Sequence, residues 1–193
     1  MTSLPATAQF TEGVGLLERA VSYALGAVRM VTDESLSWPT PCRPWDLRTL
    51  VRHLNDSLSA LTTGIDEGRI DGEPDEGSVA DPLAAFRWRA SRLMGGWATT
   101  PGDGGVIEIS SVGLTACVVA VAGSVEIAVH GWDIAQATGR PRPIPRALAT
   151  ELLEVAPLLV ADGDRPGLFG PRVWVTGPAA ASDRLVAYLG RQP

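Results

Sequence analysis

The sequence contains no lysine, and arginine occupies all 16 of its basic positions. Schiff-base chemistry and Walker-type phosphate binding both require a lysine side chain, so neither is available to this chain. The arginines form no cluster along the sequence, and 22 acidic residues give a formal net charge of −6. An acidic protein without a basic patch is not expected to bind nucleic acid or an anionic membrane surface.

Cysteine and histidine are also scarce, with two residues of each. Cys42 and Cys117 lie far apart, one in a proline-rich segment and one in an apolar run, so we expect reduced thiols and no disulfide. Residues 1–10 lack the basic and apolar regions of a secretory signal. The apolar run at 114–129 is shorter than a membrane span requires and has Glu126 inside it. Together these features predict a cytoplasmic protein.

The length of 193 residues and a hydrophobic content of 45% suit one well-formed core, so we expect a single domain over 1–193. Apolar residues that recur at helical spacing predict the main helices. They cover residues 10–31, 47–64, 82–98, 114–138 and 146–160, with a last turn or two at 183–189. Four long helices predict a four-helix bundle as the core, about 10–139, followed by a C-terminal helix and loop extension, about 140–193.

Several local signals mark the ends of these elements. Asp46 and Asp81 precede two predicted helices and are expected to cap them. Pro157 is expected to kink the fifth helix or end it early. Residues 66–81 are acidic and glycine-rich, which predicts an exposed loop. Residues 106–110 predict one short strand that has no obvious partner.

Glu126 and His130 lie four positions apart in the fourth predicted helix, so their side chains share one face. A carboxylate in an apolar helix is costly unless it is paired or bound to a metal. His53, the only other histidine, lies midway along the second predicted helix, and inward side chains of facing helices can converge in a bundle. The pattern is compatible with a metal site formed by these three residues. It also fits an ordinary helix pair and core histidines that are hydrogen-bonded to backbone or carboxylate groups.

Other residues near these positions have two interpretations each. Asp133 lies one turn beyond His130 and is placed either to orient its imidazole or to hydrogen-bond the segment that holds Trp45. Trp45, Trp97 and Trp132 are expected to be packing residues rather than substrate platforms. Cys42 precedes a helix N-terminus, a position that lowers a thiol pKa, yet we expect a buried loop thiol without a chemical role. Cys117 is expected to be inert.

Three segments carry a resemblance to a known family. The first is Thr-Pro-Cys-Arg-Pro-Trp at 40–45, continuing to His53; the second is Glu-x-x-x-His-Gly-Trp-Asp at 126–133, continuing to Gly139. The third is Phe-Gly-Pro at 169–171 together with the ending at 183–193. In this order they resemble the actinobacterial branch of the DinB-like, mycothiol-dependent maleylpyruvate isomerase N-terminal superfamily.

The resemblance implies an all-α, DinB-like four-helix bundle that holds a divalent metal through one histidine of the second helix and Glu-x-x-x-His of the fourth. Carried over by position, the ligands are His53, Glu126 and His130. Two imidazoles and a carboxylate suit zinc, and also nickel or iron. The catalytic and cofactor-binding residues beyond these ligands are not assigned.

A metal with three protein ligands keeps a coordination position open, as catalytic sites do, and acidifies the water or thiol bound there. The resemblance implies mycothiol as cosubstrate, and hence a thiol transferase or isomerase acting on an electrophilic small molecule. No general acid or base beyond the ligands is evident, so a metal-dependent hydrolase and a non-catalytic metal- or ligand-binding protein remain alternatives. A homodimer is compatible with all three.

Overall fold

The computed structural model describes residues 5–70, 81–161, 163, 165 and 169–193. These residues form six α-helices, one short 3-10 helix at Glu34–Ser37 and a small sheet. The α-helices are α1 (Ala6–Val28), α2 (Leu47–Glu67), α3 (Pro82–Thr99), α4 (Ala116–Ala137), α5 (Arg146–Leu159) and α6 (Ala181–Tyr188). The strands are β1 (Arg69–Ile70), β2 (Val106–Ile109) and β3 (Val112–Thr115).

Helices α1 to α4 form the bundle, with α1 packed along α4 and α2 packed along both α3 and α4. Their facing stripes supply fully buried side chains such as Leu17, Leu54, Phe86 and Ile127. Helices α5 and α6 pack against each other, and α5 also contacts α4. The predicted all-α architecture, a four-helix bundle with a C-terminal addition, is confirmed.

Helix α4 is the central element of the bundle. Among the described helices, it alone is long and apolar enough to cross a membrane. However, 72% of its most apolar stretch is buried inside the protein. A core helix has this character. At Gly131 it approaches α1 so closely that a Cβ atom there would lie 3.1 Å from the Ala24 Cα atom. The lack of a side chain at Gly131 therefore lets the two helices meet beside His130.

The predicted caps are confirmed. The Asp46 carboxylate accepts a hydrogen bond from the Thr49 backbone N–H at 2.8 Å. Asp81 accepts the first free N–H groups of α3, and Pro82 occupies its first turn. Of the two effects predicted for Pro157, a kink or an early end of the helix, the early end does not occur, since α5 continues to Leu159 with the proline in its last turn. A proline this close to the C-terminal end removes few helical hydrogen bonds.

The strand predicted at 106–110 is present as β2, but the expectation that it has no partner is wrong. Strand β2 pairs in parallel with β1 and antiparallel with β3. Ser110 and Ser111 join β2 to β3 in a two-residue turn with φ values of 48° and 69°. Such turns usually contain glycine or asparagine, so this serine pair gave no hairpin signal.

The sheet also moves two predicted boundaries. Strand β3 takes Leu114, which was predicted as helical, so α4 begins at Ala116 and is capped by the Thr115 hydroxyl. Helix α2 runs past residue 64 to Glu67 and ends at Gly68, whose φ is 72°. Strand β1 then occupies part of the predicted loop at 66–81, and residues 71–80 of that loop lie outside the described residues.

The Asp46 cap supports the helix that carries His53, and its loss is measurable. We expect Asp46→Ala to lower the free energy of unfolding by about 1 kcal/mol, because the Thr49 N–H loses its acceptor. Asp46→Asn is the matched control, since asparagine caps helices about as well as aspartate. Urea unfolding of both variants checks this. Equal stabilities for the alanine and asparagine variants would contradict the role of the cap.

Candidate metal centre

The two histidines of the chain meet at one glutamate. Helix α2 presents His53, and α4 presents Glu126 and His130 one turn apart. The His53 Nε2 atom lies 2.5 Å from Glu126 Oε1, and the His130 Nε2 atom lies 3.2 Å from the same oxygen. All three potential ligand atoms are within 4.8 Å of one another. The structure therefore brings the three sequence-predicted residues together.

The donor atoms fit a divalent ion. Tetrahedral zinc, with bonds of 2.0–2.1 Å, places its ligand atoms roughly 3.3–3.4 Å apart. The 3.2 Å separation of His130 Nε2 and Glu126 Oε1 already meets this requirement. To reach the same spacing, the His53 Nε2 atom would have to move away from Glu126 Oε1 by about 1 Å or less. The His53 side chain is 36% exposed, which leaves room for that movement.

A buried hydrogen bond orients the His130 ring. Its Nδ1 atom lies 2.9 Å from Asp133 Oδ2, and the Asp133 side chain is fully buried. The second partner of Asp133 is the Arg191 guanidinium, with Nη2 3.0 Å from Oδ2 and Nε 3.4 Å from Oδ1. Of the two roles considered for Asp133, this geometry fits the one in which its carboxylate orients the His130 imidazole. With Nδ1–H donated to Asp133, the Nε2 atom faces Glu126 and His53.

The charges in this cluster depend strongly on one another. Burial opposes the ionised form of Glu126, but the two imidazoles outweigh it and hold the pKa of the carboxyl well below its usual range. Burial likewise opposes the charged form of His130, yet the Glu126 and Asp133 carboxylates raise its pKa to about 9. Without a metal, therefore, the Glu126 carboxyl is ionised and the His130 imidazole is positively charged at neutral pH.

These residues line a cavity of about 550 Å³, which is large enough for a small molecule. Trp45 covers both imidazoles: its ring centroid lies 4.7 Å from that of His53 and 6.0 Å from that of His130. Trp45 was expected only to pack in the core, and it also forms a wall of this cavity. The described lining residues are Cys42, Arg43, Pro44, Trp45, His53, Val125, Glu126, Val129, His130, Phe169, Leu189 and Arg191.

Both cysteines are free thiols, and Cys42 is closer to the site than expected. It is half-buried, and its Sγ atom lies within 4.8 Å of potential ligand atoms of His130 and Asp133. Burial raises the pKa of the Cys42 thiol, and nearby carboxylates add to the effect, while Arg191 opposes it. This direction is opposite to the one suggested by its place before a helix. Cys117 is half-buried, and its thiol donates to the Gln9 carbonyl at 3.2 Å.

The C-terminal part of the chain supplies one wall of the cavity. Phe169, Leu189 and Arg191 line it, although they follow the bundle by many residues. Sequence reasoning missed Arg191. The available signal was indirect: a carboxylate at Asp133 in an apolar helix needs a cationic partner, and in a chain without lysine that partner is an arginine or a histidine.

Comparison with known proteins identifies the family. The family model described as the mycothiol maleylpyruvate isomerase N-terminal domain matches residues 17–135, and this chain belongs to that family. The matched range contains all three residues of the candidate site. Two relatives from Mycobacterium tuberculosis strains, the uncharacterized proteins MT0763 and Rv0738, are each 26% identical over 178 residues. The alignment covers 90% of this chain and 94% of each relative.

Solved structures support the fold. A crystal structure of the mycothiol-dependent maleylpyruvate isomerase superposes with a TM-score of 0.53 at 16% identity, covering 81% of this chain and 72% of that chain. A mutant of the same enzyme gives a TM-score of 0.57 at 17% identity, with the same coverage. At this identity the likeness shows the fold, and it confirms the predicted DinB-like bundle.

The raised pKa of His130 predicts a pH dependence of the metal-free protein. Because the folded pKa of about 9 exceeds the ordinary 6.5, the contribution of His130 to stability is complete below pH 6.5. It is lost as the pH rises through about 9. In the presence of a chelator, NMR titration of the imidazole should give a midpoint near the folded value. Glu126→Gln should lower that midpoint, and a midpoint at or below 6.5 in the parent protein would contradict the prediction.

Proposed function

We propose that this protein is a divalent-metal-dependent enzyme, a transferase or isomerase, in which mycothiol adds to an electrophilic small molecule. The observation that supports this best is the convergence of two imidazole nitrogens and one carboxylate oxygen on the wall of a cavity of about 550 Å³. We propose mycothiol as the thiol because this chain belongs to the mycothiol maleylpyruvate isomerase N-terminal domain family. The two free cysteines agree with a reducing compartment, and we propose the cytoplasm.

In this proposal His53, Glu126 and His130 hold the ion, and we favour zinc because catalytic zinc sites commonly use two histidines and one carboxylate. A bound zinc ion would lower the pKa of a thiol in the open coordination position and so supply a nucleophilic thiolate near neutral pH. Asp133 accepts a hydrogen bond from the Nδ1–H group of His130. This bond would leave Nε2 as the nitrogen that binds the ion. Trp45 shields both imidazoles from water on one side.

The cavity lining favours thiol addition over hydrolysis. Metal-assisted hydrolysis commonly uses a separate carboxylate or histidine as a general base. Apart from Glu126 and the two histidines, the described lining residues include no carboxylate and no imidazole. The buried Cys42 thiol has a raised pKa and is not suited to act as a base at neutral pH. Thiol addition does not require such a group from the protein.

Turnover experiments on the zinc-loaded protein separate the three functions. Mycothiol and a panel of electrophilic substrates, including cis-enones and activated halides, are incubated with the protein, and products are identified by mass spectrometry. Thiol adducts or isomerised enones formed only with mycothiol support the proposal. Thiol-independent cleavage of an ester or amide panel would indicate a hydrolase. Mycothiol binding without any turnover would indicate a binding protein.

The first prediction from this proposal concerns His53. We expect His53→Ala to remain folded but to bind zinc at least about 100-fold more weakly, because losing a ligand costs more than losing a ligand's hydrogen-bond partner. A chain of 193 residues has enough core to fold without the ion. Circular dichroism and metal quantification check this. The control is Arg52→Ala, an exposed neighbour on α2. Unchanged zinc content in the His53 variant would remove His53 from the site.

The second prediction concerns the thiol. A free thiol has a pKa of about 8.5, so binding to the ion as thiolate at neutral pH must release a proton. Calorimetry of mycothiol binding should therefore give an enthalpy that changes with the ionisation enthalpy of the buffer. Glu126→Gln should weaken the binding, because an amide is a poor metal ligand. Equal mycothiol affinity in zinc-loaded and metal-stripped protein would contradict the thiol mechanism.

A further inference from the structure

Arg191 is a buried arginine to which the proposed function assigns no role. Only 8% of its side chain is exposed, although just two residues follow it in the sequence. Two of its nitrogens contact the Asp133 carboxylate, at 3.0 and 3.4 Å, and Nη1 donates to the Leu189 carbonyl at 2.9 Å. It also lies outside the family match, which ends at residue 135.

The end of helix α6 directs this side chain into the core. The Arg191 N–H donates to the Val186 carbonyl at 2.9 Å, and the Gly190 N–H donates to the Ala187 carbonyl at 3.1 Å. This pair of hydrogen bonds, with Gly190 at a φ of 85°, is a Schellman motif. A Cβ atom at Gly190 would lie 2.7 Å from the Gly170 carbonyl oxygen. The turn that places Arg191 therefore depends on glycine at this position.

Arg191, Asp133 and His130 form one continuous chain of contacts that ends at the candidate metal site. Asp133 is fully buried, so no bulk water is in place to replace a guanidinium that leaves it. Without Arg191 the carboxylate would keep a single partner and would be free to turn or to draw in solvent. Either change would move the acceptor of the His130 Nδ1–H and tilt the ring that presents Nε2 to Glu126.

We propose that Arg191 is a positioning residue for the metal centre, acting through Asp133 on His130. This inference rests on the proposed metal function. It makes the C-terminal segment a working part of the site, supplied by a region beyond the matched family domain. Partners that orient a metal-binding histidine typically change metal affinity 10–100-fold when they are removed, roughly the effect expected here.

A purely structural role of the ion pair makes a different prediction. If Arg191 only fastened the end of the chain to the bundle, its removal would lower the stability of the metal-free protein and leave the zinc affinity of the folded molecules unchanged. If Arg191 positions His130, the affinity of the folded protein falls as well. Zinc affinity and metal-free stability must therefore be measured on the same variants.

The test uses the full chain with Arg191→Met and Arg191→Lys. Zinc affinity is obtained by competition with a chromophoric chelator, and cobalt substitution reports the coordination geometry through its visible spectrum. We expect affinity about 10–100-fold weaker for the methionine variant and an intermediate loss for lysine, which keeps the charge but not the two-point contact. Arg184→Met removes the same charge from an exposed position on α6 and should bind as the parent does.

Gly190→Ala provides an independent test, because it disturbs the turn that aims Arg191 without altering any residue of the ion-pair chain. It should weaken zinc binding and change the cobalt spectrum in the same direction as Arg191→Met. If the methionine variant does not fold, the lysine and Gly190 variants decide. Affinities within twofold of the parent in these variants would overturn the role of Arg191. A parent protein that binds neither zinc nor cobalt would instead overturn the proposed metal function.

Discussion

The central constraint on this structure is that helix α4 carries three ionisable side chains on its inward side, with His130 and Asp133 buried and Glu126 on the wall of the cavity. Removing a charge from water costs several kcal/mol unless partners replace the lost hydration. Each of the three charged groups of α4 therefore needs a partner inside the protein. Helix α2 supplies His53 to Glu126, and the C-terminal segment supplies Arg191 to Asp133. His130 lies between the two carboxylates and links both pairs.

The sequence predicts best those features whose relations are local. Glu126 and His130 share a helix face because they are four positions apart, and a chain with two histidines leaves only His53 to join them. The caps at Asp46 and Asp81 follow from their own neighbours in the same way. Arg191 is different, because nothing local distinguishes it from the other arginines as the partner of Asp133. Its role arises from tertiary packing, as does the raised pKa of Cys42.

The cavity is lined by residues from inside the family match and by residues from beyond it. The candidate ligands lie within the family match at 17–135, whereas Phe169, Leu189 and Arg191 lie beyond it. A shared bundle can hold the same ion in many proteins, while the segments that close over it set the shape available to a ligand. In this protein, then, family membership describes the bundle more fully than it describes the pocket.

The small sheet also affects the site, from the opposite end of the ligand-bearing helices. Strand β1 follows α2 and β3 leads into α4, and both pair with β2. At 1.5 Å per residue, the sheet ends of the helices lie roughly 15 Å from Glu126 and roughly 21 Å from His53. The sheet therefore joins the C-terminal end of α2 to the N-terminal end of α4. A small rotation at the sheet, too slight to break a strand hydrogen bond, would change the spacing between His53 and Glu126.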